Sequence, residues 1–168
     1  YETVTADDGS MPLLAPMSTI AGQLAFFVGS YHLLKHNNGK GVMIGKLEDI
    51  DPRVVSVIGA GVAGTQSIAK ALENHAHVKV VDSSQQKLES LKSQFGTNNI
   101  EYILSNEESI QASINDSDLV IGSVYVVGKE APRVVTREML ASMSPGTVMV
   151  DVSIDQGGCF ESSRPTTH

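Results

Sequence analysis

Three glycines follow an apolar run with the spacing G-x-G-x-x-G, and this motif has the clearest chemistry in the sequence. Gly59, Gly61 and Gly64 stand between a β-branched run and an apolar helical pattern. The first glycine permits a tight turn, the second removes the Cβ that would obstruct a pyrophosphate, and the third lets the helix pack closely on the strand. The backbone amides of Val62 and Ala63 would then face phosphates at the helix N-terminus. The alternative is that the glycines only ease a tight turn, without a ligand.

An acidic residue follows this motif at the distance expected for recognition of a ribose. Asp82 ends the second predicted strand, 23 positions after Gly59, and a spacing of about 20 is typical. A carboxylate there accepts hydrogen bonds from ribose hydroxyls and repels a 2′-phosphate. Ser83, Ser84 and Gln85 follow, with no arginine that could neutralise such a phosphate. The pattern predicts NAD rather than NADP, whereas the simpler interpretation makes Asp82 only a helix cap.

Further polar residues follow predicted strands at the edge where a ligand would bind. Ser105, Ser123 and Val124 are expected to face the cofactor, although serines after strands are also common helix caps. Asp155 follows the fifth predicted strand, close in sequence to Asp151 and a glycine pair. Its carboxylate could exchange protons with a substrate, or it could be an ordinary solvated loop acid.

The sequence predicts neither a metal site nor a reactive thiol. His32 and His36 have a spacing that can bind metal, but no third ligand is evident. Cys159 is the single cysteine, so an internal disulfide and a cysteine-based zinc cluster are excluded. It has no histidine or basic neighbour in sequence that would lower its pKa. Lys87 is interpreted as a solvated surface lysine.

Length and composition limit the function classes. The chain has 168 residues, which corresponds to about one domain of ~150 residues. Apolar residues make up 41% and charged residues 18%, so wholesale disorder is excluded. The formal net charge is −7, and the chain therefore lacks the basic surface typical of nucleic-acid binding. The composition fits a reducing, cytoplasmic setting.

An uncharged stretch near the N-terminus is interpreted as a buried helix rather than a membrane span. Residues 19–34 carry no charge, but the stretch is shorter than the ~20 residues that a span needs. Ser18 is expected to cap this helix, which is expected to run to about Lys35. No basic segment precedes it, so a signal peptide is not expected. The large apolar residues at helical spacing are predicted to be buried: Ile20, Leu24, Phe27, Val28 and Tyr31.

The remaining chain alternates short strands with short helices. Ser83 or Ser84 is expected to cap the second of these helices, and Gly96 to end it. This alternation predicts a doubly wound, Rossmann-type α/β fold with a mainly parallel sheet, preceded by the long apolar helix. Its ligand should lie at the carboxyl ends of the strands. Strands are predicted at residues 54–58, 77–81, 100–104, 118–126 and 147–152, with a late helix at 136–143.

Three segments closely resemble the NAD-binding domain of bacterial L-alanine dehydrogenase, in the alanine dehydrogenase and transhydrogenase alpha-subunit family. They are residues 12–18 (PLLAPMS), 57–64 (VIGAGVAG) and 150–167 (VDVSIDQGGCFESSRPTT). Residues 129–132 (KEAP) resemble the loop after the family's fourth strand, where Gly-Ala-Lys-Ala-Pro is usual. The resemblance covers nearly the whole chain. It implies reversible, NAD-linked oxidative deamination of L-alanine to pyruvate and ammonia.

The resemblance also implies roles for particular residues. It would place Asp155 beside the nicotinamide and the substrate, in a catalytic role that handles protons. It would assign Ser18 and Ser105 to cofactor contacts, Asp82 to the ribose, and residues 123–124 to the cofactor cleft. The family's substrate lobe is not part of this sequence, so the chain alone is expected to be inactive. The whole enzyme is expected to be a homo-oligomer, by resemblance a hexamer.

The chain is accordingly divided into four parts, as a fragment of a longer protein. Residues 1–16 are interpreted as a linker from the missing lobe, 17–36 as a connecting helix, 54–155 as the Rossmann NAD-binding domain, and 156–168 as the start of a return toward a missing C-terminal part. Two alternatives stay open. One is the matching domain of a transhydrogenase with a membrane partner, against which the Asp-Gln-Gly-Gly segment at 155–158 argues. The other is a non-enzymatic NAD-binding module. The favoured interpretation has neither a membrane nor a nucleic-acid partner.

Overall fold

The computed structural model describes residues 4–7, 9–126 and 128–165. Expectations for residues 1–3 and 8 of the linker, and for 166–168 of the C-terminal return, lie outside the described residues. These include the two threonines at 166 and 167 that belong to the family resemblance. The elements are α1 Ala15–His32, β1 Val54–Ile58, α2 Val62–Glu73, β2 His77–Asp82, α3 Gln85–Phe95, β3 Ile100–Leu104, α4 Glu107–Asn115, β4 Leu119–Gly122, α5 Arg137–Leu140 and β5 Val148–Asp151. Single-turn 3-10 helices lie at Lys35–Asn37 and Ile154–Gln156.

In the described part of the chain, five parallel strands form one sheet in the order β3-β2-β1-β4-β5. This order confirms the predicted Rossmann-type fold. The chain first builds the sheet outward from β1 to β3 and then returns to add β4 on the other side of β1. Ile58 at the end of β1 pairs with Val81 on one side and with Gly122 on the other. The loop after β1 leads to α2 on one face of the sheet and the loop after β4 leads to α5 on the other, so the two loops diverge and a crevice opens at this switch point.

Helices cover both faces of the sheet, as parallel strands require. On one face, α1, α2 and α3 pack on the strands and bury Phe26, Leu33, Val57, Ile68 and Leu88, among others. On the other face, α4 and α5 bury Ile58, Ile114, Val120, Met139 and Phe160. The connecting helix α1 is thus part of the same hydrophobic core as the strands.

The start of α1 differs from the prediction that Ser18 is its N-cap. The helix begins at Ala15, and its N-cap residue is Leu14. Pro16 lies in the first turn, where a missing N–H does no harm because that N–H would have no partner within the helix. The prediction treated this proline as a break before the helix. The regular helix also ends at His32 rather than near Lys35.

The predicted orientation of α1 was wrong. Ile20, Leu24, Phe27, Val28 and Tyr31 are 46–61% exposed. The buried face instead consists of Gly22, Ala25, Phe26 and Gly29.

The reason for this orientation is how closely α1 packs on its neighbours. A Cβ built on Gly22 would lie 2.0 Å from the carbonyl oxygen of Ala63, and one on Gly29 would lie 2.4 Å from Leu119. Only small side chains allow helix backbones to approach this closely, so the bulky residues face outward.

The later elements are shorter than predicted. The fourth strand ends at Gly122 rather than at residue 126, because its two neighbours, β1 and β5, end at Ile58 and Asp151, which both pair with Gly122. The helix predicted at 136–143 covers Arg137–Leu140, with the Thr136 hydroxyl accepting the N–H of Met139 as its cap. The fifth strand covers Val148–Asp151. Among the described residues, no helix combines the length and the hydropathy that a membrane crossing requires.

Candidate functional site

Two adjoining clefts open at the carboxyl ends of the strands. The smaller has a volume of about 320 Å³ and the larger about 520 Å³. They share Gly61, Ser123 and Tyr125, so a single elongated ligand could occupy both. The smaller is lined, among others, by Gly59, Asp82, Lys87, Ser105 and Val124. The larger is lined, among others, by Ser18, Val62, Ala63, Asp155 and Gln156.

The three glycines of the motif have three different surroundings. Gly59 has a φ of +97°, and a Cβ there would lie 2.6 Å from the carbonyl oxygen of Ser123. A Cβ on Gly64 would lie 1.9 Å from the carbonyl oxygen of Gly59, so this glycine serves the packing of α2 and lines neither cleft. A Cβ on Gly61 would meet no atom within 4 Å. Gly61 is therefore the position where the missing side chain leaves room for a ligand at the N-terminus of α2.

Asp82, at the end of β2, joins the glycine loop to the start of α3 at the smaller cleft. Its Oδ2 accepts the backbone N–H of Ala60 at 2.7 Å, and its Oδ1 accepts that of Ser84 at 2.8 Å. The residue is only 7% exposed. The N-cap of α3 is Ser84, whose hydroxyl accepts the N–H of Lys87. The interpretation of Asp82 as merely the cap of this helix is therefore wrong.

Lys87 is a cleft residue that the sequence interpretation missed. Its side chain is 56% exposed, and its Nζ lies 3.9 Å from Oδ2 of Asp82. Its position in the first turn of the helix that follows Asp82 could have indicated that it lies near this acid. The ammonium places a positive charge beside the acid and offsets part of the repulsion that Asp82 would exert on a phosphate.

The predicted residues after β3 and β4 hold the strand ends together. The buried hydroxyl of Ser123 donates to the carbonyl oxygen of Gly59 at 2.7 Å. The backbone N–H of Ser105 donates to the carbonyl oxygen of Asp82 at 3.0 Å. The carbonyl oxygen of Val124 accepts the hydroxyl of Ser153 at 2.8 Å. These contacts fix the walls of the smaller cleft, and a direct contact of these residues with a cofactor stays a prediction.

The larger cleft brings together Ser18 and Asp155, which are far apart in sequence. Ser18 lies in the first turns of α1, and Asp155 is exposed in the 3-10 helix after β5. Gln156 borders the same cleft and was not predicted as a site residue. Its Oε1 is one of two buried side-chain N or O atoms without a hydrogen-bond partner in the described part of the chain. A buried acceptor without a partner is what a bound donor would complete.

Cys159 lies under this site and is chemically quiet. It is fully buried, and burial together with the negative charge of Asp151 raises the pKa of its thiol to about 12. At neutral pH the thiol is protonated, and a protonated thiol is a poor nucleophile. Across residues 4–7, 9–126 and 128–165, no group of three or more His, Cys, Asp or Glu side chains has the arrangement of a metal site.

Comparison with known proteins decides the family. The model of the family described as alanine dehydrogenase/PNT, C-terminal domain, matches residues 25–168. The chain belongs to this family. It is a nucleotide-binding domain of the kind found in NAD-dependent enzymes.

Curated relatives and solved structures agree with this assignment. The chain is 45% identical to the alanine dehydrogenase of Halomonas elongata and 46% identical to that of Mycobacterium tuberculosis, in both cases over all of this chain and 45% of the relative. It therefore spans less than half the length of these relatives. A solved L-alanine dehydrogenase matches all of the chain, and 46% of its own, with a TM-score of 0.95 and 39% identity. A transhydrogenase from Sinorhizobium meliloti matches 94% of the chain, and 46% of its own, with a TM-score of 0.80 and 28% identity.

Proposed function

We propose that this chain is the NAD-binding domain of an L-alanine dehydrogenase, which interconverts L-alanine with pyruvate and ammonia. One observation carries the proposal. The cleft that contains the glycine loop and Asp82 joins, at Gly61 and Ser123, a second cleft that contains Asp155. A dinucleotide bound across this junction has its adenosine end at Asp82 and its reactive end near a carboxylate.

The residues of the smaller cleft fit the adenosine half of NAD. The open space at Gly61 accommodates a pyrophosphate against the N-terminus of α2, where the N–H groups of Val62 and Ala63 begin the helix. Asp82 uses one lone pair on each oxygen for Ala60 and Ser84, and a carboxylate retains further lone pairs for ribose hydroxyls. Its negative charge favours NAD over NADP.

The residues of the larger cleft fit the reactive half. Asp155 is exposed to this cleft, so its carboxylate can accept a proton from the amino group of the substrate and return it. NAD, when bound, supplies the acceptor for the hydride that leaves the substrate carbon. The unpartnered Oε1 of Gln156 can accept a hydrogen bond from a bound amide. Ser18 borders this cleft as a further polar contact.

The whole enzyme requires parts that this chain does not contain. The relatives are more than twice as long as the matched region, and the resemblance assigns the binding of L-alanine to a separate lobe. The domain alone should therefore bind the cofactor without turning over alanine. We further propose that the enzyme is a cytoplasmic homo-oligomer, by family resemblance a hexamer.

Asp155→Asn in the full-length enzyme tests the proposal. The change retains the shape of the side chain and a hydrogen-bonding group but removes the charge and the proton that titrates. Turnover of L-alanine should fall by roughly 10²–10⁴-fold, with little change in NADH affinity, because a general acid–base group is lost. Steady-state kinetics with both substrates varied measures the two effects separately.

Other outcomes would contradict this role. Unchanged turnover would mean that Asp155 is a solvated loop acid. Weaker NADH binding with turnover restored at saturating cofactor would make Asp155 a cofactor anchor instead of a proton carrier. A wild-type enzyme that reduces NAD with another amino acid but not with L-alanine would contradict the proposed substrate.

A further inference from the structure

One carboxylate holds both ends of the loop that carries Asp155. Oδ1 of Asp151 accepts the backbone N–H of Ser153 at 3.0 Å. Oδ2 accepts the backbone N–H of Cys159 at 2.9 Å and that of Phe160 at 3.2 Å. The hydroxyl of Ser163 also donates to Oδ2. Residues 153–163 therefore leave the end of β5 and return to the same side chain.

Gly158 allows this close return. Its φ is +79°, and a Cβ there would lie 2.9 Å from Oδ2 of Asp151 and 2.8 Å from Cβ of Ser163. Any larger residue at this position would push the returning chain away from the carboxylate. The backbone N–H of Gly158 also donates to the carbonyl oxygen of Ser153 at 3.0 Å, which closes the loop across its base.

The loop is also tied to the wall of the cleft. The hydroxyl of Ser153 donates to the carbonyl oxygen of Val124, and the N–H of Ala131 donates to the carbonyl oxygen of Gln156 at 2.9 Å. Asp155 lies between these two tied positions, in the 3-10 helix Ile154–Gln156. The position of Asp155 relative to the cleft is thus set by residues 153–163, which are held by hydrogen bonds to Asp151.

We infer that Asp151 is a positioning residue, which holds the carboxylate of Asp155 where it reaches the reacting substrate. The inference rests on the proposed function, in which Asp155 exchanges protons. Asp151 itself faces backbone N–H groups, the Ser163 hydroxyl and the Cys159 thiol, which all belong to residues 153–163, so it acts through the loop. An ionised carboxylate suits this task because both of its oxygens accept, whereas an amide replaces one acceptor with an NH₂ donor. Asp151→Asn would place that donor either against the N–H of Ser153 or against the N–H groups of Cys159 and Phe160.

The test is a double-mutant cycle in the full-length enzyme with Asp151→Asn, Asp155→Asn and both together. Asp151→Asn alone should lower kcat roughly 10–100-fold, because a displacement of about 1 Å in a catalytic group has effects of this size. In the Asp155→Asn background the same change should lower kcat less than about twofold, since the group that it positions is already inactive. Asp116→Asn, at a side chain that is 76% exposed, is the matched control and should leave kcat unchanged.

Hydrogen exchange gives a readout that does not depend on catalysis. In Asp151→Asn, either the amide of Ser153 or the amides of Cys159 and Phe160 should exchange at least about tenfold faster than in the wild type, because one of these two groups faces the NH₂ donor in place of an acceptor. Wild-type exchange rates at all three amides in this variant would overturn the anchoring role. The control Asp116→Asn should leave these amides protected.

The outcomes separate this inference from the proposed function. An equal loss of kcat in both backgrounds would mean that Asp151 supports the fold in general and does not act through Asp155. Wild-type kcat for Asp151→Asn, with Asp155→Asn defective, would overturn the positioning role alone. Wild-type kcat for Asp155→Asn would contradict the proposed function, and the positioning role would fall with it.

Discussion

The carboxylate of Asp82 accepts the backbone N–H of Ala60 at 2.7 Å, and this hydrogen bond joins the end of β2 to the glycine loop after β1. The acid expected to recognise the ribose thus also shapes the loop expected to hold the pyrophosphate. Because one side chain does both, the two halves of the adenosine subsite are fixed relative to each other by the fold. A substitution at Asp82 should therefore affect more than the choice between cofactors.

We expect the chain to bind NADH more tightly than NADPH, by about tenfold or more. The buried charge of Asp82 accepts hydrogen bonds from ribose hydroxyls, which are worth about 1.5–3 kcal/mol each when one partner is charged, and it repels a 2′-phosphate. Lys87 offsets part of this repulsion, so Lys87→Met should widen the difference between the two cofactors. Calorimetric titration measures both affinities. Equal affinities in the wild type would remove the ribose assignment of Asp82.

Gly61→Ala and Gly64→Ala should separate binding from folding. The Cβ added by Gly61→Ala would enter open space, so the variant should fold normally but bind NADH at least about tenfold more weakly, because the methyl group occupies the place of the pyrophosphate. The Cβ added by Gly64→Ala would lie 1.9 Å from the carbonyl oxygen of Gly59, which should reduce the free energy of unfolding by about 2 kcal/mol or more. Urea unfolding and NADH titration report the two effects. Wild-type NADH binding by a folded Gly61→Ala variant would show that this glycine serves only the turn.

The stability of the domain should fall at alkaline pH in part because of Cys159. The pKa of the thiol is 9.0 in its reference state and about 12 in the folded chain. Below the first value the thiol is protonated in both states, so it contributes no pH dependence. As the pH rises between these values, the unfolded thiol ionises while the folded one keeps its proton, which favours unfolding by at most about 1.4 kcal/mol per pH unit.

Cys159→Ala isolates this contribution. The variant should be less stable at neutral pH because it leaves a cavity, but its stability should fall less steeply above pH 9 than that of the wild type. Urea unfolding at several pH values measures the difference in slope. If stability fell equally steeply with pH in both proteins, the thiol would have the same pKa in the folded and the unfolded chain, which would contradict the prediction.

Lys40→Met should destabilise the fold by about 1–3 kcal/mol. The Nζ of Lys40 lies 2.8 Å from Oδ1 of Asp118, whose side chain is only 9% exposed. Removing the lysine leaves a nearly buried carboxylate with the N–H of Val54 as its remaining donor among the described contacts.

The control for this prediction is Lys70→Met. Lys70 pairs with Glu73 at the surface of α2, and because Glu73 is mostly exposed, the change should cost no more than about 0.5 kcal/mol. Urea midpoints compare the two variants. Equal losses would mean that Asp118 is solvated well enough to remain charged without its partner.

Much of the fold could be predicted because its signals are local. The β-branched run of β1 and the serine cap of α3 are consequences of backbone sterics and nearby hydrogen bonds. Gly96 ends α3 for the same kind of reason, since its φ is +74°. The glycine motif and Asp82 could be recognised because their spacing follows from one strand-helix-strand unit.

Which face of each element is buried, and which groups each polar side chain contacts, was decided only by the tertiary structure. Helical spacing correctly grouped Ile20, Leu24 and Phe27 on one face of α1, but it could not show that this face is exposed. That outcome depends on Gly22 meeting the backbone of Ala63, a contact between segments far apart in sequence. The hydrogen bonds of Asp151 could not be predicted either. Their donors belong to residues 153–163, and most of them reach the carboxylate only because the chain turns back on itself. Local sequence specifies which residues share a face or follow a strand, whereas burial and hydrogen-bond partners are properties of packing between distant segments.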